Sequence, residues 1–282
     1  MIPGLYTGAS GMKAQLDRMD ALSNNLSNVD VTGYKRDVSV SKAFPEMLLR
    51  RTNDNGVYKF PFGSADMSPV VGTVGSGVEY NESYTVFEQG ELQQSNNPFD
   101  LALDGEGFFS IETPTGERYT RNGSFHLSKE GILVTKEGLP VKGENGIIEI
   151  KKNNFVVDKQ GNVYQNATFA GDPQRLVSME ENEWENMELI DRLKVVTFDR
   201  SRILKKQGSS MWKTTDQTGE QMAASLGSET KVEQGFLENS NVNPVTEMVK
   251  MIEVNRAYEA NQRTIKTQDE LSGRLVNDVL KV

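Results

Sequence analysis

The chain has 282 residues, enough for one large or two modest domains with a real core, and 36% hydrophobic residues at a mean hydropathy of −0.53 imply generous surface. Lys and Arg number 31 against 40 Asp and Glu, a formal net charge of −9 that opposes nucleic-acid binding, because phosphate contacts need a basic face. The absence of Cys removes disulfides, thiolate nucleophiles and Cys-ligated zinc; His126 is the single histidine, and no apolar run approaches the ~20 residues that span a bilayer.

The first element predicted is a helix. Pro3 lies where it should start and Gly33 where it should stop. Between them Leu5, Ala9, Met12, Leu16, Met19, Ser23 and Leu26 alternate in spacings of four and three, a heptad seam widened by Leu22 and Val29. Ser23, Asn24, Asn25 and Asn28 cluster near its C-terminal end, where a buried Asn would fix register with a partner helix. Met1 to Leu26 lacks the basic n-region and unbroken apolar core of a cleaved secretory signal.

Residues 37–77 read as a Gly/Pro-rich connector. Phe44, Met47, Leu48 and Leu49 form a short amphipathic piece, followed by Arg50 to Gly56 and by Pro61, Gly63, Pro69, Gly72, Gly75 and Gly77, which favour extended or irregular chain. Val57, Tyr58, Phe60 and Phe62 are available to dock elsewhere.

From 78 to 239 short strands alternate with turns. Strand composition marks Tyr84 to Phe87, Leu101 to Leu103, Phe108 to Ile111, Ile147 to Ile150 and Leu193 to Phe198. Turn dipeptides separate them, among them Asn97-Pro98, Asp104-Gly105, Asn122-Gly123 and Asn145-Gly146. This is the pattern of an antiparallel β domain.

A second helix follows Asn241-Val242-Asn243-Pro244, with Asn243 as N-cap, Pro244 at the first helical position and Glu247 in the first turn. Met251, Val254, Tyr258, Ile265, Leu275 and Val279 make a three-four ladder that passes through Asn261, Gln268 and Ser272. Val245, Met248, Val249 and Ile252 form a second apolar edge. A continuous helix here is ~57 Å long, more than this chain can wrap, so it calls for partners. The fold class expected is α+β: paired N- and C-terminal helices (1–36 with 240–282) in a coiled-coil layer, the connector, and a central antiparallel β domain. Charge follows the same division: residues 1–36 hold four bases and three acids, residues 241–282 six of each, and the acidic excess lies between.

Catalytic patterns fail when tested. With Asp100 at position one of a calcium loop, Ala102 and Ile111 occupy positions that need oxygen ligands, which leaves Asp100, Asp104 and Glu106 as an acidic hairpin. His126 alternates with Phe125 and Leu127 on a hairpin strand, without a nucleophile motif to serve. Gly105-Glu106-Gly107 is half a dinucleotide fingerprint and opens no helix. No catalytic, cofactor-binding or metal residue is expected.

The ends and the centre carry longer motifs. Ser23-Asn24-Asn25-Leu26-Ser27-Asn28-Val29 running into Thr32-Gly33-Tyr34-Lys35-Arg36, and Gln234 to Asn243 continuing through Glu247-Met248 and Met251-Ile252 to Arg256-Ala257-Tyr258-Glu259-Ala260-Asn261, resemble the bacterial flagellar rod, hook and hook-associated proteins. Leu101 to Phe109 and Tyr119 to Phe125 resemble the β domain of that family; Val31 departs from the small polar residue usual there. The opening Met1 to Gly8 and Lys42 to Leu49 are most similar to the proximal rod branch, with a distal rod or hook-type axial protein as the alternative. The resemblance implies a structural subunit that is not an enzyme, stacks helically into the axial drive shaft and needs no cofactor. It implies other copies, other rod and hook axial proteins and the flagellar export apparatus as partners, with neither nucleic acid nor membrane insertion. It also implies a basal-body location reached without a cleaved signal peptide. The assembly interface expected is Leu5, Met12, Leu16, Met19 and Leu26 with Met248, Ile252, Tyr258, Ile265 and Leu275. A secreted β-domain binding module with helical oligomerisation arms, and a hydrolase centred on Asp104, are the rival readings from other classes.

Overall fold

Both helices begin at the prolines that sequence pattern picks out: α1 spans Pro3–Ser27 and α2 spans Pro244–Val279. Proline at a first helical turn loses no hydrogen bond and pre-sets φ, so each start is encoded locally. The computed structural model describes residues 3–51, 58–60, 63–65, 70–150, 155–166, 187–208, 210–219 and 221–279. The expected docking of Val57 and Phe62 lies outside the described residues, as do Pro61, Pro69 and the side chains of Tyr58, Phe60 and Val279. The chain divides into two compact units: one holds residues 1–24, 38–83 and 245–282, the other residues 25–37 and 84–244.

In the helical unit α1 and α2 run antiparallel, and small residues set their approach. Gly4 lies against the Gln268 amide, and a Cβ on Gly8 would stand 2.9 Å from Ile265 Cγ1. One on Gly11 would stand 2.9 Å from the Asn261 amide nitrogen. The residues of α2 that meet these glycines belong to the three-four ladder. On α1 the contact line is Gly4, Gly8 and Gly11, one step around the helix from the seam of Leu5, Met12 and Leu16. Glycine costs helix propensity, about 1 kcal/mol against Ala, and here that cost brings two backbones together.

Residues 37–77, expected as extended or irregular chain, contain paired strands. Asp37–Ala43 pairs with Val78–Thr85, Met47–Arg50 pairs antiparallel with Val70–Val74, and Tyr58–Phe60 pairs with Gly63–Ala65. The amphipathic piece at Met47 to Leu49 is thus a strand, with Leu49 opposite Gly72. The glycines and prolines that suggested a connector sit beside β-branched Val70, Val71, Thr73 and Val74, and cross-strand pairing outweighs the punctuation.

The second unit is built on a six-stranded antiparallel sheet. Its strand order is Lys205–Lys206, Met211–Lys213, Gly116–Thr120, Phe108–Thr113, Val195–Phe198 and Gln221–Ala223. Strand alternation divides its side chains between two cores. Phe109, Ile111 and Val195 enter a large cluster with Leu101, Phe125 and Leu193. Phe108 and Val196 point the other way, to Tyr119, Phe198 and Trp212. Leu101–Asp104 pairs with Lys231–Gln234, and Leu92–Gln94 with Phe236–Glu238, so residues close to α2 close the β unit. Ile147 to Ile150, expected as a strand, makes only isolated bridges. Phe109→Ala, at a fully buried ring packed edge-on to Phe125, is expected to cost about 3–5 kcal/mol of unfolding free energy in urea denaturation.

Candidate assembly interface

The large apolar side chains of α2 divide into two sets. Val254 is buried, and Met251, Tyr258 and Ile265 are half-buried on the ladder that meets α1. Val245, Met248, Val249, Ile252, Leu271, Leu275 and Val276 are 46–67% exposed. Gly4 lies opposite Gln268, so the last two turns of α2 extend past the start of α1 as described, and Leu275 and Val276 are in that extension. On α1 the same division holds. Ala14 and Leu22 are buried and Leu5, Met12, Met19 and Leu26 half-buried, whereas Leu16 is 46% exposed. Of the ten residues expected at an interface, Ile265 meets α1 within the chain, at Gly8, and Tyr258 is half-buried. Leu16, Met248, Ile252 and Leu275 remain on the surface.

The motif residues at the two ends of the β unit do different work, which periodicity does not reveal. Lys35 and Glu238 are fully buried, and Lys35 Nζ sits 2.5 Å from Glu238 Oε1. The second carboxylate oxygen is 3.3 Å from Nη1 of buried Arg121, and Oε1 also accepts the Gly90 N–H at 2.9 Å. Lys35 Nζ donates to the Glu88 carbonyl at 2.6 Å and Arg121 Nη2 to the Gly105 carbonyl at 2.7 Å. Burial pushes the Lys35 amine below its usual range against the pull of Glu238, and burial lowers Arg121 likewise.

Gly33 is the reason that Lys35 arrives there. Its φ is +66°, its N–H donates to the Glu238 carbonyl at 2.7 Å, and a Cβ would stand 2.5 Å from the Asn122 nitrogen. Only glycine meets both the conformation and the space. Asn25, expected to fix register between helices, instead binds its own exit loop. Its Oδ1 accepts from the Asp37 N–H at 2.8 Å and the Tyr34 hydroxyl at 3.2 Å, and its Nδ2 donates to the Asp37 carbonyl. Asn241 mirrors it at the other end, accepting the Arg36 N–H at 2.8 Å and donating to the Val86 and Glu88 carbonyls.

Asp104 is exposed at a strand end and receives the Gln89 amide, and His126 is exposed opposite Val134 on a separate hairpin. Among the described residues no group of three or more metal-ligating side chains is placed to hold an ion, and no helix is long and apolar enough to cross a membrane.

Comparison with known proteins places the chain alongside one set of relatives. Residues 5–35 match the family described as flagella basal body rod protein, residues 102–165 the D1 domain of the flagellar hook protein FlgE/F/G, and residues 233–278 the C-terminal family of flagellar basal body rod FlgEFG proteins. The flagellar basal-body rod protein FlgG of Borreliella burgdorferi is 33% identical over 278 residues, 97% of each chain. FlgF of Caulobacter vibrioides is 32% identical over 281 residues, 99% of this chain and 98% of that one. The flagellar hook-basal body complex protein FlhO of Bacillus subtilis is 31% identical over the full length of both.

Breaking the buried ion triad has an ordered set of consequences. Glu238→Gln leaves two buried cations without a counter-charge and is expected to cost about 3–5 kcal/mol in urea denaturation. Lys35→Met leaves Glu238 still facing Arg121 and is expected to cost less.

Proposed function

Because the chain belongs to the flagellar basal-body rod protein family, we infer that it is a structural rod subunit that joins a helical assembly through the outer faces of α1 and α2. The observation that carries this reading is the row of large apolar side chains on α2, Val245 to Ile252 and Leu271 to Val276, left 46–67% exposed. An isolated soluble domain rarely exposes such a surface, and patches of this kind mark protein–protein contacts. Full burial of each side chain contributes about 1.5–3 kcal/mol, so several together offset the cost of association.

The α1–α2 contact is the inner seam of a coiled-coil layer in this reading, closed by Gly4, Gly8 and Gly11 against Gln268, Ile265 and Asn261. Leu5, Met12, Leu16, Met19 and Leu26 with Met248, Ile252 and Leu275 supply the contacts to neighbouring copies and to other rod or hook axial proteins. Such a seam carries torque by shape and packing, which requires no reacting group. The subunit passes through the flagellar export apparatus on its way to the basal body. Proximal and distal positions share this mode of assembly, and relatives named FlgF and FlgG match over nearly the same length.

Leu16→Asp tests the outer face without touching the inner one, because Leu16 is 46% exposed in the folded chain. Its incorporation into purified basal bodies, measured by immunoblot and electron microscopy, is expected to fall at least tenfold while the thermal unfolding of the β unit is unchanged. Incorporation at the native level would count decisively against these faces as the interface.

A further inference from the structure

The helical unit contains a cleft of about 670 Å³ between α1 and the ladder of Met47–Arg50 with Val70–Val74. Tyr6, Ala9 and Lys13 of α1 form one wall, and Phe44, Met47 and Val74 form the other. Its size falls in the roughly 300–1,000 Å³ range of small-molecule sites, but it lacks the convergent polar groups that orient such a ligand. Ser10 is already engaged, with its hydroxyl donating to the Thr7 carbonyl and accepting the Val78 N–H. Lys13 is the one charged residue in the lining. A pre-formed apolar trough of this kind suits a row of side chains from a helix.

The same chain carries that row. Val245, Met248, Val249 and Ile252 occupy positions i, i+3, i+4 and i+7, the anchor spacing of a helix laid into a groove, and all four are exposed. Glu253 is exposed beside Val249 on that face and supplies the acid that Lys13 lacks within the cleft. The row cannot fill the cleft of its own copy. Gly8 meets Ile265, and Val249 lies sixteen residues from Ile265, about 24 Å along the helix and about 160° around it. It points away from α1 and well past Ala9.

We propose that the α1 cleft lined by Tyr6, Ala9, Phe44, Met47 and Val74 receives the Val245–Ile252 edge of α2 from a second copy, with Glu253 of that copy beside Lys13. The two surfaces differ, so the contact is heterologous: each copy gives its α2 edge to one neighbour and its cleft to another. A contact of that type propagates rather than closing on itself unless its rotation completes a ring. The assignment rests on the rod-subunit reading above and names the surfaces through which it operates.

The chain has no cysteine, which makes the contact directly testable. Ala9→Cys and Val249→Cys are placed in separate copies and co-produced with the native chain in flagellated cells. Mild oxidation of purified basal bodies is expected to yield a disulfide-linked dimer at least tenfold above that from Ala9→Cys with His126→Cys, because the bond needs Cα atoms within ~7 Å. Basal bodies that contain both variants but not the dimer overturn the cleft assignment and leave the rod-subunit reading standing. Basal bodies that lack the native chain itself overturn that reading, and the assignment with it. Should the cysteine copies fail to enter, Ala9→Trp decides: its indole fills the cleft, so native-level incorporation overturns the assignment, and a loss of tenfold or more with unchanged helicity supports it.

Discussion

The β unit depends on one carboxylate. Glu238 is fully buried and stands between two cations, one delivered by the loop that follows α1 and one by the turn after the central strand Gly116–Thr120. Desolvating three charged groups is expensive, and an apolar cluster of the same volume is often as stable. What the triad adds is exclusivity. A hydrophobic plug tolerates a shifted loop, whereas Glu238 must hold Lys35, Arg121 and the Gly90 N–H together, and a slip of one residue leaves a buried charge without its partner. The loop after α1 and the strand that leads toward α2 are thereby fixed to each other inside the same unit. Asn25 and Asn241 continue this logic with neutral groups, each spending its amide on backbone that would otherwise lack a partner.

The helical unit follows the opposite economy. Its inner contact uses the smallest residues of α1, so α2 approaches closely while little apolar surface of α1 is consumed. Leu16 of α1 and Val245, Met248, Val249 and Ile252 of α2 remain exposed. In a monomer that arrangement wastes hydrophobic surface, and in an assembly it gives every helix two working sides. A helix with leucines on its inner face would bury more within one copy and offer less to the next.

Much of this was legible in the sequence, and the failures have a common cause. Pro3 and Pro244 mark the helix starts because proline acts through its own backbone. The strand Phe108–Thr113 follows from its β-branched and aromatic composition, and the glycine turn before it separates it from Leu101–Asp104. Along α2 the ladder from Met251 through Val254, Tyr258 and Ile265 to Gln268 takes the buried and half-buried positions, whereas Leu275, predicted on the same ladder, is exposed. On α1, periodicity weighted by hydrophobicity selects Leu5, Met12 and Leu16, and glycine carries no weight in such a count, so the true inner line of Gly4, Gly8 and Gly11 is invisible to it. Residues 37–77 hide their ladders for a related reason: glycine and proline were read as punctuation, and the pairing of Met47–Arg50 with Val70–Val74 depends on partners some twenty residues away. Lys35, Glu238 and Arg121 are 203 and 117 residues apart in their two contacts, and no local signal joins them.

The two units therefore divide the free energy of the chain differently. The β unit satisfies its own polar groups and closes two cores, so its stability belongs to the single copy. The helical unit leaves apolar rows of α2 exposed, and in the assembly proposed above their burial depends on concentration and neighbours. Point changes in the first unit act on folding, through cavities or uncompensated charge. In the proposed assembly, point changes on the outer faces of the second act on association and leave the copy folded. This separation follows from where glycine and leucine fall on one helix, and in the proposed assembly the glycine line of α1 is as consequential as any side chain at the interface itself.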